Sequence, residues 1–270
     1  MLNSIFAMFS YSFLIRAVIV GILVSLCASL LGVSLVLKRF SMIGDGLSHV
    51  GFGALAIAGA LNLAPLAVAI PVVIIATFFL LKLKETNKDG DSMVAIISTS
   101  SLAIGITVVS FSTGMTTDIN NYMFGSILSL SKGDVFLSIP LTIAVIVLFI
   151  LFYNRIFSIT FDERFAKATG QNVEILNTLI AVLTAVTIVL GMRLMGALLI
   201  SALIIFPALT SMKLFKSFLS VTISSAVVSV LSMLVGMILS YNFNTPAGAG
   251  IVLVNLTIYI IFGIIRFFKA

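Results

Sequence analysis

Charge is what this sequence has least of. Only 9% of its 270 residues are Asp, Glu, Lys or Arg, against 61% hydrophobic, and the mean hydropathy is +1.30. A water-soluble domain carries roughly a quarter charged residues, so a soluble globular protein is excluded. Cysteine is nearly absent too. The one present, Cys27, lies in an apolar run, cannot close an intrachain disulfide, and reads as a small buried hydrophobe. With a single histidine, His49, the metalloprotease pattern HExxH is impossible. No Gly-rich loop ending in Lys-Ser/Thr occurs, so the chain does not itself bind and hydrolyse ATP by that route, and no serine-protease motif is found. Residues 1–11 lack a basic n-region and a small-residue cleavage site, so no removable signal peptide is expected.

What the sequence does have is one apolar block after another. Many reach the roughly 20 residues needed to cross about 30 Å of hydrocarbon at 1.5 Å per residue. The expected fold is therefore all-α: a single polytopic transmembrane domain over 1–270, with about nine spans and eight as the other possible count. The spans fall at 13–37, 43–61, 64–83, 93–111, 135–153, 175–191, 196–212, 218–240 and 247–267. The fourth, interrupted by Ser98-Thr99-Ser100-Ser101, is expected to face other helices, because lipid leaves hydroxyls without partners. Lys and Arg orient the chain. With the N-terminus outside and the C-terminus cytoplasmic, the inner loops collect twelve of the fifteen, leaving only Arg16, Lys132 and Arg193 outside. Eight spans would break that alternation. The pI near 9.6 thus marks one side of a membrane, with no basic patch for nucleic acid. The outer segment 112–134, with Tyr122-Met-Phe-Gly125, is expected to form a short helix at the outer interface.

Ionisable groups inside a span point to function, because burying them in lipid is costly. Asp45 is the only carboxylate within an apolar span and His49 the only histidine. Four residues apart, they share a helix face with Cβ atoms about 6 Å apart. Mixed oxygen and nitrogen ligation suits Mn²⁺ or Zn²⁺ over the all-oxygen preference of Ca²⁺. Two ligands are too few for a tight site, so water, backbone or a second copy of the chain would supply the rest. The same spacing also suits a polar pair in which Asp45 caps the helix and His49 bonds a neighbour. The inner segment 154–174 holds the second feature. Asp162 and Glu163 fall in the first turn of a short helix and Gly170 suits its C-terminal cap. Phe165, Ala166 and Thr169 would leave a partly apolar knob for a cytoplasmic partner, or an ordinary solvated helix face. Third, Pro207 removes a backbone donor inside the seventh span and should kink it. Gly196 opens that span, and Gly248 starts the last one at a tight helix contact.

Together these segments resemble the membrane permease subunit of bacterial ABC importers for zinc and manganese. The resemblance is carried by Val36-Leu-Lys-Arg39-Phe-Ser-Met-Ile-Gly44-Asp45-Gly-Leu-Ser48-His49, Tyr122-Met-Phe-Gly125-Ser, Phe161-Asp162-Glu163-Arg-Phe-Ala166-Lys-Ala-Thr-Gly170, Gly196 through Pro207-Ala, and Pro246-Ala-Gly248-Ala. They stand in family order over nearly the whole chain. One departure is Gly46, where many relatives carry alanine. The resemblance implies a homodimer of permeases in the bacterial cytoplasmic membrane, with a cytoplasmic ABC ATPase dimer as motor. An extracellular metal-binding lipoprotein or periplasmic binding protein would deliver Mn²⁺ or Zn²⁺, and no cofactor would be permanently bound. It places Asp45 and His49 on the metal pathway, and makes Asp162 to Gly170 the coupling helix that docks into the ATPase. His49 must be neutral to ligate, so transport should weaken in acid. Two other functions remain open at this point: a secondary transporter using Asp45 as a proton site, and an ABC permease for iron chelates.

Overall fold

The computed structural model describes residues 12–86, 90–111, 132–243 and 245–269. Eleven helices account for nearly all of them: α1 Ser12–Leu37, α2 Ser41–Ala60, α3 Pro65–Thr86, α4 Gly90–Phe111, α5 Lys132–Leu151, α6 Tyr153–Phe161, α7 Glu163–Ala168, α8 Val173–Met195, α9 Ala197–Met212, α10 Phe218–Phe243 and α11 Ala247–Lys269. The segment around Tyr122–Gly125 expected at the outer interface lies outside the described residues.

The all-helical bundle is as expected, but the count of about nine spans is not. Six described helices are long and apolar enough to cross a membrane. The pair Val135–Leu151 and Tyr153–Phe161, bent by 69°, makes a seventh if it is one span. Two expected spans drop out for different reasons. In α2, five glycines with Asp45 and His49 dilute the apolar content. In α9, sixteen residues give a helix of about 24 Å, short of a hydrocarbon core of about 30 Å.

Helix α1 forms the centre. In its apolar stretch 72% of residues are buried, against 11% in α11 at the periphery. It packs against α5, α8, α9 and α10. Small and hydroxylated residues allow this close approach, which is how helices associate where apolar burial gives no advantage over lipid. Ser229 donates to the Ser25 carbonyl at 2.9 Å and Ser225 to that of Ser29 at 3.4 Å, joining α10 to α1. Cys27 is fully buried, its thiol directed at the Thr142 carbonyl of α5 at 3.4 Å, in keeping with the packing role expected of it. Gly32 brings α1 against the main chain of α9 at Ile204.

Helix α2 is wrapped by α3, α4, α8 and α9. Its Gly53 approaches the Ser101 carbonyl of α4, and Gly105 of α4 meets Phe52 and Gly53 in return. Only this stripe of α4 is covered. Ser98 is buried, but Thr99 is exposed and donates to the Ala95 carbonyl of its own helix at 2.8 Å. Hydroxyls satisfied by their own backbone need no neighbouring helix, so α4 does not bury its polar run as a whole. Helix α9 is likewise continuous through Pro207, and no break falls there. The break falls at Gly196, which alone joins α8 to α9 at φ 87° and ψ 157°, a conformation essentially restricted to glycine. Gly248 is buried in the first turn of α11.

Candidate functional site

The polar pair stands near the start of α2. Helix α1 stops at the turn Lys38-Arg39-Phe40, where Phe40 N–H donates to the Leu35 carbonyl at 2.7 Å and Arg39 N–H to that of Val36 at 3.0 Å. This paired pattern normally places glycine in the left-handed position. Here Arg39 occupies it at φ 60°, a conformation costing an ordinary residue about 1–2 kcal/mol. The N-cap of α2 is Phe40, and no side chain caps the helix. Asp45 is more than a turn further on, too far along to serve the orphan N–H groups. The capping alternative is excluded.

His49 Nε2 lies 3.8 Å from Asp45 Oδ2, with the histidine side chain 29% exposed and the aspartate 50%. That gap is too long for a hydrogen bond. A divalent cation about 2.1 Å from each atom would bridge it at an N–metal–O angle of roughly 130°, given the bond lengths usual for nitrogen and carboxylate ligands. Behind the pair, Ser48 donates to the Asp45 carbonyl at 2.7 Å and accepts from Ser201 of α9 at 3.1 Å. This fixes α2 against α9 at the level of the site. His49 Nδ1 is buried without a hydrogen-bond partner among the described residues, so no such bond fixes the ring's tautomer. Nor do the described residues bring three or more His, Cys, Asp or Glu within reach of one ion. One copy therefore offers two protein ligands from this pair, suited to a weak, exchangeable contact rather than to retention.

The second feature folds as a short, doubly capped helix. Asp162 is the N-cap of α7, its Oδ1 accepting from Phe165 N–H at 2.9 Å. Gly170, at φ 82°, ends it, with Gly170 N–H donating to Lys167 and Gln171 N–H to Ala166. Phe165 is 62% exposed, as the expected knob requires, but Ala166 is fully buried. The correction to Ala166 follows from helical geometry. One side of a six-residue helix lying on a bundle must face inward, and Ala166 is the residue that does.

Glu163, the first residue of α7, is held by Lys38. Lys38 Nζ donates to Glu163 Oε1 and to Asn177 Oδ1 of α8, each at 2.6 Å, while Asn177 Nδ2 donates to Glu163 Oε1 at 3.2 Å. Partial burial by itself pushes the Glu163 carboxyl up. The hydrogen bond and charge of Lys38, with the Asn177 amide, outweigh it and hold the group below its ordinary value. Nearby, the rings of Phe157 and Phe161 pack on Phe218 of α10. The α1–α2 turn, α7 and the α9–α10 connection thus share one end of the bundle.

The model of the ABC 3 transport family matches residues 10–266. The chain belongs to this family. Among similar proteins, the high-affinity zinc uptake system membrane protein ZnuB of Buchnera aphidicola is 34% identical over 236 residues, covering 86% of this chain and 90% of that one. The manganese import system permease protein ScaB of Streptococcus gordonii is 28% identical, covering 93% of this chain and 90% of its own. A solved structure, PsaBC from Streptococcus pneumoniae in complex with Fab, superposes at a TM-score of 0.88 with 29% identity over 97% of this chain and 95% of that one.

In this ABC 3 family chain, sequence reasoning located Asp45 and His49 and the capped helix α7. It missed Lys38, Asn177 and Ser201 as partners of those elements. Lys38 and Glu163 are 125 residues apart, and no spacing rule connects them. The one available signal was a lysine at the end of an apolar helix, where a cation favours the negative dipole end.

Proposed function

We propose that this chain is the permease subunit of an ATP-driven importer of Zn²⁺ or Mn²⁺, forming one transmembrane domain over 1–270. Membership in the ABC 3 transport family supports the transport role, and the names of the zinc and manganese relatives support the cargo. The observation that carries the mechanism is the Asp45–His49 pair, open at 3.8 Å and partly exposed. Two copies of the chain around a symmetry axis would bring up to four such ligands to one ion. Neutral His49 supplies nitrogen, Asp45 supplies charge, and incomplete coordination by each copy lets the ion leave.

The chain contains no ATP-binding loop of the P-loop type, so a cytoplasmic ATPase dimer would supply the energy. Its docking element on this chain is α7, presenting Phe165 at a basic end that also carries Arg164 and Lys167. A lipoprotein or periplasmic binding protein would deliver the ion from outside. Pro207, Gly196 and Gly248 are assigned to helix geometry and packing.

The test is metal uptake by the complete importer with His49→Ala, expressed at the normal level. Accumulation of both Mn²⁺ and Zn²⁺ should fall to background, and uptake of both at the normal rate would refute the role of the pair. For the docking helix, Phe165→Asp should abolish co-purification of the ATPase. Undiminished co-purification sinks that assignment.

A further inference from the structure

Lys38 stands where three helices meet. It is the last residue before the left-handed turn that ends α1, and it contacts the first residue of α7 and a residue one turn into α8. Its side chain is only 7% exposed, while Glu163 is 47% exposed. A lysine so far withdrawn from water needs full compensation. It has this from two oxygens at 2.6 Å, themselves linked by the Asn177–Glu163 hydrogen bond. The triangle is closed, so none of its corners can move without disturbing the other two.

The connection from Lys38 to the metal pair is equally short. Arg39 is held at φ 60°, an unfavourable conformation that persists only where the surroundings dictate it. Phe40 N–H is bonded back to Leu35, and the Phe40 carbonyl accepts from Ile43 inside α2. Only Arg39 and Phe40 separate Lys38 from α2. Asp45 and His49 follow within the first turns of that helix, about 6–12 Å along it at 1.5 Å per residue.

We infer that Lys38 is the positioning residue that ties the docking helix α7 to α2, so that a displacement of α7 reaches Asp45 and His49 through the Lys38–Glu163–Asn177 triangle. The inference rests on the reading of α7 as the docking element. Lys38 acts through Glu163 and Asn177. Its part is to convert motion of one short helix into motion of the helix bearing the ligands, which is a coupling role between two distant sites.

The experiment uses the complete importer in proteoliposomes, recording ATP hydrolysis and Mn²⁺ uptake in parallel. Lys38→Met keeps the length of the side chain and removes its charge. The expected result is an ATPase that still co-purifies and still hydrolyses ATP, with ions imported per ATP reduced about tenfold, a typical size for coupling between sites. Lys38→Arg should retain most of the coupling. The exchanged pair Lys38→Glu with Glu163→Lys should restore it over Lys38→Glu alone, since the Asn177 amide can turn to offer its NH₂. If Lys38→Met leaves uptake per ATP unchanged, or if it releases the ATPase, the inference is overturned. Should Lys38→Met fail to accumulate, the exchanged pair decides: restored coupling supports the role, and coupling no better than Lys38→Glu refutes it. Failure of the docking reading is separate, because it appears as ATPase binding undiminished in Phe165→Asp while Lys38 is native.

Discussion

Gly32 allows the tightest main-chain contact described in the bundle, and replacing it with alanine tests the packing of α1 on α9. A Cβ built at Gly32 lies 2.1 Å from the Ile204 carbonyl oxygen and 2.9 Å from its carbon. Carbon–oxygen contacts between packed backbones settle at about 3.3–3.6 Å, so the helices must part locally by about 1 Å. The obstacle is backbone and no rotamer change relieves it, which puts the cost at the upper end of overpacking, about 3 kcal/mol. Alanine in place of glycine returns about 1 kcal/mol of helix propensity, leaving a net loss of about 2 kcal/mol. Gly191→Ala is the internal comparison. Its Cβ meets only side-chain atoms, Ile200 Cδ1 at 2.3 Å, Ile200 Cγ1 at 2.9 Å and Val24 Cγ1 at 3.0 Å. There side chains can shift where a backbone cannot, so a steric cost of about 2 kcal/mol is partly offset by the same propensity gain, and the net loss should be about 1 kcal/mol, half that of Gly32→Ala. Both variants would be compared with the wild type by reversible unfolding in mild detergent micelles titrated with a denaturing detergent. Equal stability of Gly32→Ala and Gly191→Ala would refute the α1–α9 contact.

Two further outcomes concern the end of the bundle that carries α7. The Glu163 carboxyl lies below its ordinary value of 4.5 in the folded chain, so its ion pair stabilises above that pH and is lost as pH falls through the lowered folded value. The stability gap between wild type and Glu163→Gln should therefore be fully present at neutral pH and close as pH falls below 4.5. With Glu163 half exposed the gap stays within about 1 kcal/mol, and a gap that widens in acid contradicts the assigned direction. Asp162→Ala removes the N-cap of α7, which should cost about 1 kcal/mol locally. Amide exchange within Glu163–Ala168 would accelerate several-fold while α1 and α8 stay protected, and unchanged exchange in α7 would contradict the cap.

Much of the site could be read from the chain because its signals are local. Asp45 and His49 stand out as ionisable residues in apolar surroundings, and their spacing places them on one face of any helix. Asp162 and Gly170 mark the ends of α7 because capping is a matter of neighbouring residues. The span count failed at α9 because sixteen residues fall short of the hydrocarbon thickness, and at α2 because apolar length alone does not say whether a segment faces lipid. Helix α2, with its five glycines and ionisable pair, is covered by four other helices and so need not be hydrophobic enough to face lipid. The fourth block misled in the opposite direction, since Ser98 and Thr99 of its polar run donate to carbonyls of α4 itself.

What the sequence by itself determined is the class of environment, the helical content, the polar pair and the capped segment. Each rests on composition or on residues within a few positions of one another. Only the tertiary structure decided which helix is central, that α9 runs unbroken through Pro207, that Ala166 faces inward, and that Lys38 meets Glu163 across 125 residues. Those depend on how helices of similar apolar character choose partners. In a bundle like this one, that choice is made by where small residues let backbones approach and where a buried charge finds its counterpart, and neither is a property of any single segment.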